Sequence, residues 1–371
     1  MRNHTHASPR RSALAASRVL AGILTLTGVA PALAQQPEDA AEEKPAPRTV
    51  FRGFGNLDFR VGDQATAFSL GQVSLFVTSE LTDGLSMLAE LVFEREEEAA
   101  SFEVERFQIQ YAHSDRLRIA VGRMHTPLGY WNQTFHHGTW FQTTVERPLV
   151  YRFEDEGGVL PVHEVGLQVA GRLGLGSQLR LDYSLSTSNG RGPEPAVVQN
   201  VADPGGTKSV NVWLGLRPAR QPNLMAGGVL RLDKIPAISD RPQSQGRLDE
   251  RIVGGFAAYR TARTELLAEY LEVRHTESGG RYYETRGVYV QASRAFRRLR
   301  PYYRFDRLES DPADPFYSLS PARQAPTLRV HTAGLHLAPT PWLAIKLEAN
   351  ATARQSGDDQ LGLVIQAAVT F

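Results

Sequence analysis

The run LGLVIQAAVTF, residues 361–371, sets apolar side chains on every odd position: Leu361, Leu363, Ile365, Ala367, Val369 and Phe371. The even positions carry Gly362, Gln366, Ala368 and Thr370, with Val364 the one large apolar exception. A period of two describes a strand with one greasy face and one wet face, not a helix. Terminal residues are usually loose, so an aromatic closing this alternation predicts a strand held down to its tip.

The same alternation recurs along the chain. Phe51, Gly53, Gly55, Leu57, Phe59 and Val61 share one face, with Arg52, Asn56, Asp58 and Arg60 on the other. Leu343, Ile345, Leu347 and Ala349 likewise oppose Lys346, Glu348 and Asn350. About sixteen such segments can be phased between residue 50 and residue 371, and the phase is ambiguous only near 251–260 and 329–337. The connections alternate in length. TDG (82–84), SDR (114–116), TAR (261–263) and APTP (338–341) are tight, whereas 124–161, 189–208, 234–250, 275–285 and 308–328 are long and polar. Short turns at one end and long loops at the other predict an all-β transmembrane antiparallel barrel. In lipid every strand must pair on both edges, so the sheet has to close on itself. Phe371 is expected at the short-turn rim of a last strand zipped to the first.

The N-terminus fits export. Arg2, Arg10, Arg11 and Arg18 precede an apolar stretch from Val19 to Ala30, and Ala32-Leu33-Ala34 offers a small-x-small cleavage site. Residues 1–34 read as a secretory signal, too short in its apolar part for a span of about 20 residues. The chain has 41 Lys+Arg, 40 Asp+Glu and no cysteine. Taking away those four arginines leaves 37 basic against 40 acidic residues, a net −3, so nucleic acid is not an expected partner. Residues 35–49, rich in Pro, Glu and Ala, read as a disordered periplasmic lead-in to a barrel over 50–371. No apolar run is long enough for a membrane helix. The expected location is the bacterial outer membrane, with its lipid and lipopolysaccharide as partners.

Strand number sets bore, and about sixteen strands leave an aqueous channel. Basic and acidic residues nearly balance on the inward faces, which predicts a solvated wall without a strong single-sign filter. The connection 124–161 stands apart: Tyr130, Trp131, Phe135, Trp140, Phe141, Tyr151 and Phe153 all need burial. Long connections of this kind are usually functional, and the expected place for this third loop is inside the barrel, narrowing it. Arg123, His125, His136, His137, Glu146, Arg147 and Arg152 would then line the constriction, with Glu90, Arg106, Arg118, Arg300 and Arg304 on the wall around it.

The blocks VGRMHTPLGY (121–130), VERP (145–148) and HEVGLQVAG (163–171) resemble the phosphate- and polyphosphate-selective porin superfamily, as do YSLSTSNGRG, VNVWLGLRP, LLAEYLEV and RPYYRFDRL. The resemblance implies a sixteen-stranded homotrimeric porin passing small hydrophilic solutes or anions by passive diffusion. It does not carry phosphate selectivity, because the ladder of basic residues cannot be mapped. The main rival is a barrel enzyme of lipase, protease or deacylase type, but no serine sits at a recognisable spacing from His136, His137 or His163, and no catalytic residue or cofactor is expected. His136-His137 with His125 is a weak metal pattern, and the acidic runs EREEE (94–98) and DPADP (311–315) are more simply solvated loops; no metal site is expected.

Overall fold

The computed structural model describes residues 47–62, 66–95, 100–136, 140–153, 156–195, 197, 200–203, 205–237, 246–320, 327–355 and 359–371. The predicted signal, the lead-in up to residue 46, His137 and the glutamates 96–98 lie outside them.

Sixteen strands form one closed barrel. They are β1 (Arg48–Gly62), β2 (Thr66–Thr82), β3 (Leu85–Arg95), β4 (Ala100–Ser114), β5 (Leu117–His125), β6 (His163–Leu175), β7 (Leu179–Asn189) and β8 (Lys208–Pro218). The second half runs β9 (Leu224–Ile235), β10 (Leu248–Arg260), β11 (Thr264–Glu277), β12 (Tyr282–Arg294), β13 (Leu299–Ser310), β14 (Thr327–Thr340), β15 (Leu343–Arg354) and β16 (Gln360–Thr370). Each strand pairs antiparallel with its sequence neighbours, and β16 returns to β1 in the register Phe54↔Thr370 through Gly62↔Gly362. β1 already begins at Arg48, inside the stretch expected to be a lead-in. The expected long connection 275–285 shrinks to residues 278–281, because β11 and β12 both run further than their apolar pattern.

The seam is tied at its rim. Gly53 and Phe371 exchange both backbone hydrogen bonds, each 2.9 Å. The far end of the Phe371 ring lies against Gly53, where a Cβ would stand 2.3 Å from Cζ. Glycine is thus required here by close approach rather than by its φ.

On β11 the two faces read cleanly: Glu265, Leu267, Glu269, Leu271 and Val273 are buried while Leu266 and Tyr270 are exposed. An exposed apolar outside is what contact with acyl chains requires. Toward the long-loop ends the outward face turns charged. Arg251, Glu272, Arg274, Glu284 and Arg286 form a surface ion network, with Arg286 Nε 3.4 Å from Glu272 and Arg274 Nε 3.0 Å from Glu284. β10 to β12 are 13, 14 and 13 residues long, more than the roughly 9–11 needed to cross a bilayer, so these ends extend past the hydrocarbon.

The interior differs from a uniformly solvated wall. Between β5 and β6 the chain forms α1 (Gly129–Thr134) and a single 3-10 turn at Leu149–Tyr151. Leu128, Trp131, Phe135, Leu149, Tyr151 and Leu160 of this segment join one apolar cluster with Trp213, Met225, Val229, Ile252, Phe256, Leu267 and Leu271. Those strand residues face inward. The core of this barrel therefore lies inside it, between its third loop and β8 to β11. Each fully buried aliphatic or aromatic side chain contributes about 1.5–3 kcal/mol.

Candidate functional site

The third loop is fastened by carboxylates that accept from its backbone. Glu269 on β11 accepts from Tyr130 N (2.7 Å), Trp131 N (2.8 Å), Tyr151 Oη (2.7 Å) and Tyr289 Oη (2.6 Å). These bonds satisfy the first-turn amides of α1, which no capping side chain serves. Glu348 on β15 accepts from Val145 N at 2.7 Å and Glu146 N at 3.1 Å, and Asp306 on β13 from Leu149 N at 3.0 Å. Cations on the same strands complete the set by donating to the loop's carbonyls. Arg304 donates to the carbonyls of Glu146 (2.7 Å) and Arg147 (3.0 Å), and Lys346 to that of Thr144 at 2.9 Å. Trp213 Nε1 donates to Gly129 O at 2.9 Å. Arg304, Lys346, Asp306 and Glu348 are all 2 % exposed or less. Burying such charges is tolerable only because every one is bonded.

Beside the loop, two cavities of about 640 and 530 Å³ share Arg60, Glu146, Arg147 and Arg152. The larger one is lined by five arginines (Arg60, Arg147, Arg152, Arg304, Arg354) against two acids, Glu146 and Asp306. The smaller is balanced, with Asp58, Glu146 and Glu156 facing Arg60, Arg147 and Arg152. Arg60 bridges them: it pairs with Glu146 of the loop and, at 3.0 Å, with Asp58 of its own strand. Burial alone would raise the Glu146 carboxyl, but Arg60, with Arg152 and Arg304 beyond it, holds it below the usual carboxylate range. Arg147 lies over the Phe153 ring at 3.7 Å and reaches toward Trp131 at 5.4 Å.

The residues expected at a constriction are thus dispersed. Glu146, Arg147 and Arg152 meet around the cavities. Arg304 anchors the loop instead of facing water. Arg106 pairs with the buried Glu90 at 2.5 Å, and Arg123 is 6 % exposed, donating from Nε to Glu105 O at 2.9 Å. Arg300 bonds Ser293 Oγ and Ala262 O near the short-turn end, and Arg118 is half-buried at the same end, across the barrel on β5. In the seventh loop, Asp314 of DPADP is buried and bonds His275 Nδ1 at 2.8 Å and Phe316 N at 2.9 Å, so it serves packing.

His125 and His136 come together with Glu105, which the sequence did not single out, and His163, considered there only as a partner for a serine and set aside. The base of the loop is paired, His125 opposite His163, and α1 turns back to bring His136 in. Glu105 arrives through a bulge. Glu90 pairs with Arg106 and Leu91 with Val104, leaving Glu105 as the extra residue. His136 Nε2 lies 2.7 Å from His163 Nε2 and 3.3 Å from Glu105 Oε1, and His163 also contacts Glu105.

No protein-family model and no curated protein matches this chain. Solved structures do match its fold. The anion-selective porin from Comamonas acidovorans aligns with TM-score 0.62 at 12% identity, covering 88% of this chain and 100% of that one. OmpF of Salmonella typhi, in complex with daunomycin, gives 0.58 at 14% identity with 87% and 97% coverage. OprB of Pseudomonas putida gives 0.52 at 12% identity with 88% and 94% coverage. The architecture is that of outer-membrane porins.

Proposed function

We propose that this chain is an outer-membrane porin: a water-filled channel for passive diffusion of small hydrophilic solutes, with the third loop as its constriction and a preference for anions. The observation that carries the preference is the cavity beside Arg60, lined by four arginines (Arg60, Arg147, Arg152 and Arg354) besides the loop-anchoring Arg304, against two carboxylates. A net positive wall in a narrow, low-dielectric passage concentrates anions and repels cations. The fold it shares with an anion-selective porin supports the same reading. The sequence blocks around 121–130 and 145–148 support placement among the phosphate- and polyphosphate-selective porins, and with it a homotrimer embedded in lipid and lipopolysaccharide. Dissipation is purely electrostatic and steric, so the channel needs no cofactor and no catalytic residue.

The test is a planar bilayer with a potassium chloride gradient. A stable conductance whose reversal potential lies toward the chloride value is expected. Absence of conductance from folded protein would overturn the channel, and a potential toward the potassium value would overturn the preference.

A further inference from the structure

We propose that Glu105, His125, His136 and His163 bind one transition-metal dication, zinc being the ion their donor set fits best, at the neck of the third loop. One ligand atom from each residue lies within 4.8 Å of all the others. Glu105, His136 and His163 are 2–3 % exposed. Three imidazoles and one carboxylate are a borderline nitrogen-rich set, which suits zinc and its neighbours and not calcium or magnesium, which take six or more oxygens.

The second set of contacts orients the ligands. Asn132 Nδ2 donates to the carbonyls of Thr126 (2.9 Å) and Val162 (3.2 Å), so its Oδ1 must be the atom facing His136 Nδ1 at 2.6 Å. That oxygen accepts, so Nδ1 of His136 carries the hydrogen and Nε2 presents its lone pair to His163 and Glu105. A fixed tautomer with Nε2 aimed at the centre is how ligating histidines are normally held. The β4 bulge does the same for Glu105, turning inward a side chain that regular alternation would place opposite Arg106; bulges commonly re-aim a side chain in this way.

Tetrahedral coordination at about 2.0–2.2 Å puts ligand atoms about 3.3 Å apart. The His136–His163 gap of 2.7 Å has to widen slightly and the widest spacing of 4.8 Å has to close, both within side-chain adjustment. Access runs through the cavity of about 530 Å³ that His136 lines. The cations nearby oppose a dication only partly: Arg147 is held behind the Phe153 ring that stacks on His163, and Arg123 is engaged by the Glu105 carbonyl. Four protein donors leave no open position, so the ion would be a structural staple joining β4, both ends of the loop and the second residue after α1.

The inference does not depend on what the channel conducts. Folded full-length protein in detergent, stripped with chelator, is titrated with cobalt(II) and then with zinc against a colorimetric chelator. One equivalent per chain is expected, with the strong visible absorption of tetrahedral cobalt and its loss on adding zinc. Glu105→Gln and His136→Asn should each abolish the signal, and Asn132→Leu should weaken zinc by about 10–100-fold. Folding of each variant is read from the heat-dependent gel shift of the barrel. If a variant fails to fold, diethyl pyrocarbonate labelling of the unmodified protein decides: zinc should protect His125, His136 and His163. No zinc uptake by the folded protein, an octahedral cobalt spectrum, undiminished uptake in the variants, or equal labelling with and without zinc would overturn the site.

Discussion

Replacing Glu269 with alanine tests whether carboxylates on the wall hold the third loop in place. The side chain accepts four hydrogen bonds, two from the backbone amides of Tyr130 and Trp131 and two from the hydroxyls of Tyr151 and Tyr289. A hydrogen bond to a charged group contributes about 1.5–3 kcal/mol. The two phenols can turn toward other acceptors or water, but the amides of the first helical turn have nowhere else to go. Their loss alone predicts local destabilisation of about 3–6 kcal/mol. At about 1.4 kcal/mol per decade, amide exchange over residues 128–136 should accelerate by roughly two to four decades. Glu269→Gln retains one acceptor oxygen and should give a smaller effect, about 1–3 kcal/mol. The assay is hydrogen exchange with peptide mass readout on folded protein in detergent, with amides of the β1–β16 seam as internal reference. Unchanged exchange in 128–136, or acceleration spread equally to the seam, would refute the reasoning.

Arg60→Gln removes one of the five arginines at the larger cavity. A charge acting across about 10 Å of water changes each ion's energy by about 0.4 kcal/mol, with opposite sign for anion and cation, so the anion-to-cation permeability ratio should fall roughly fourfold, and roughly sixteenfold with Arg152→Gln added. A reversal potential that stays put in both variants removes these residues from the selectivity. The pH response follows from the depressed Glu146 carboxyl. A group whose pKa is lowered on folding lends stability above its unfolded value and loses it as pH falls through the folded one. The Arg60–Glu146 link should therefore persist from neutral pH to below 4.5, the ordinary value, and anion preference should rise only in more acid solution; a shift centred at or above 4.5 contradicts this. Gly53→Ala should destabilise the seam by about 1–3 kcal/mol through overpacking against the Phe371 ring. In a Phe371→Ala background the same change should be close to neutral, as measured by a double-mutant cycle on the thermal gel shift.

Much of the architecture was legible because lipid imposes a strict period on the outer face. Leu266 and Tyr270 outside, Glu265 and Glu269 inside, is a pattern that a few residues suffice to phase. The ends were less legible. β12 starts at Tyr282, four residues ahead of its apparent start, because Glu284 and Arg286 occupy outward positions beyond the apolar band. The aromatic loop announced its need for burial, but not its partners. Glu269, Glu348 and Asp306 bind backbone amides, and a backbone amide leaves no mark in a residue pattern. The histidine cluster was hidden for a different reason. Glu105 sits in a bulge, where the two-residue period fails, and His163 is opposite His125 only once the loop between them has folded back. Its other two members, His125 and His136, were visible in the sequence only as constriction candidates and, with His137, as a weak metal pattern.

The fastening of the third loop also bears on the order of assembly. Tyr130, Trp131, Val145, Glu146 and Leu149 are anchored by Glu269, Glu348 and Asp306, all of which follow them by more than a hundred positions. While the chain is emerging, none of those anchors exists, and an aromatic-rich segment stays exposed. Contacts so distant in sequence are slow to form, and such exposed intermediates invite aggregation. Loop docking therefore has to wait for β11, β13 and β15, and a chaperone that shields residues 130–153 should raise the yield of folded barrel more than one that shields any single hairpin.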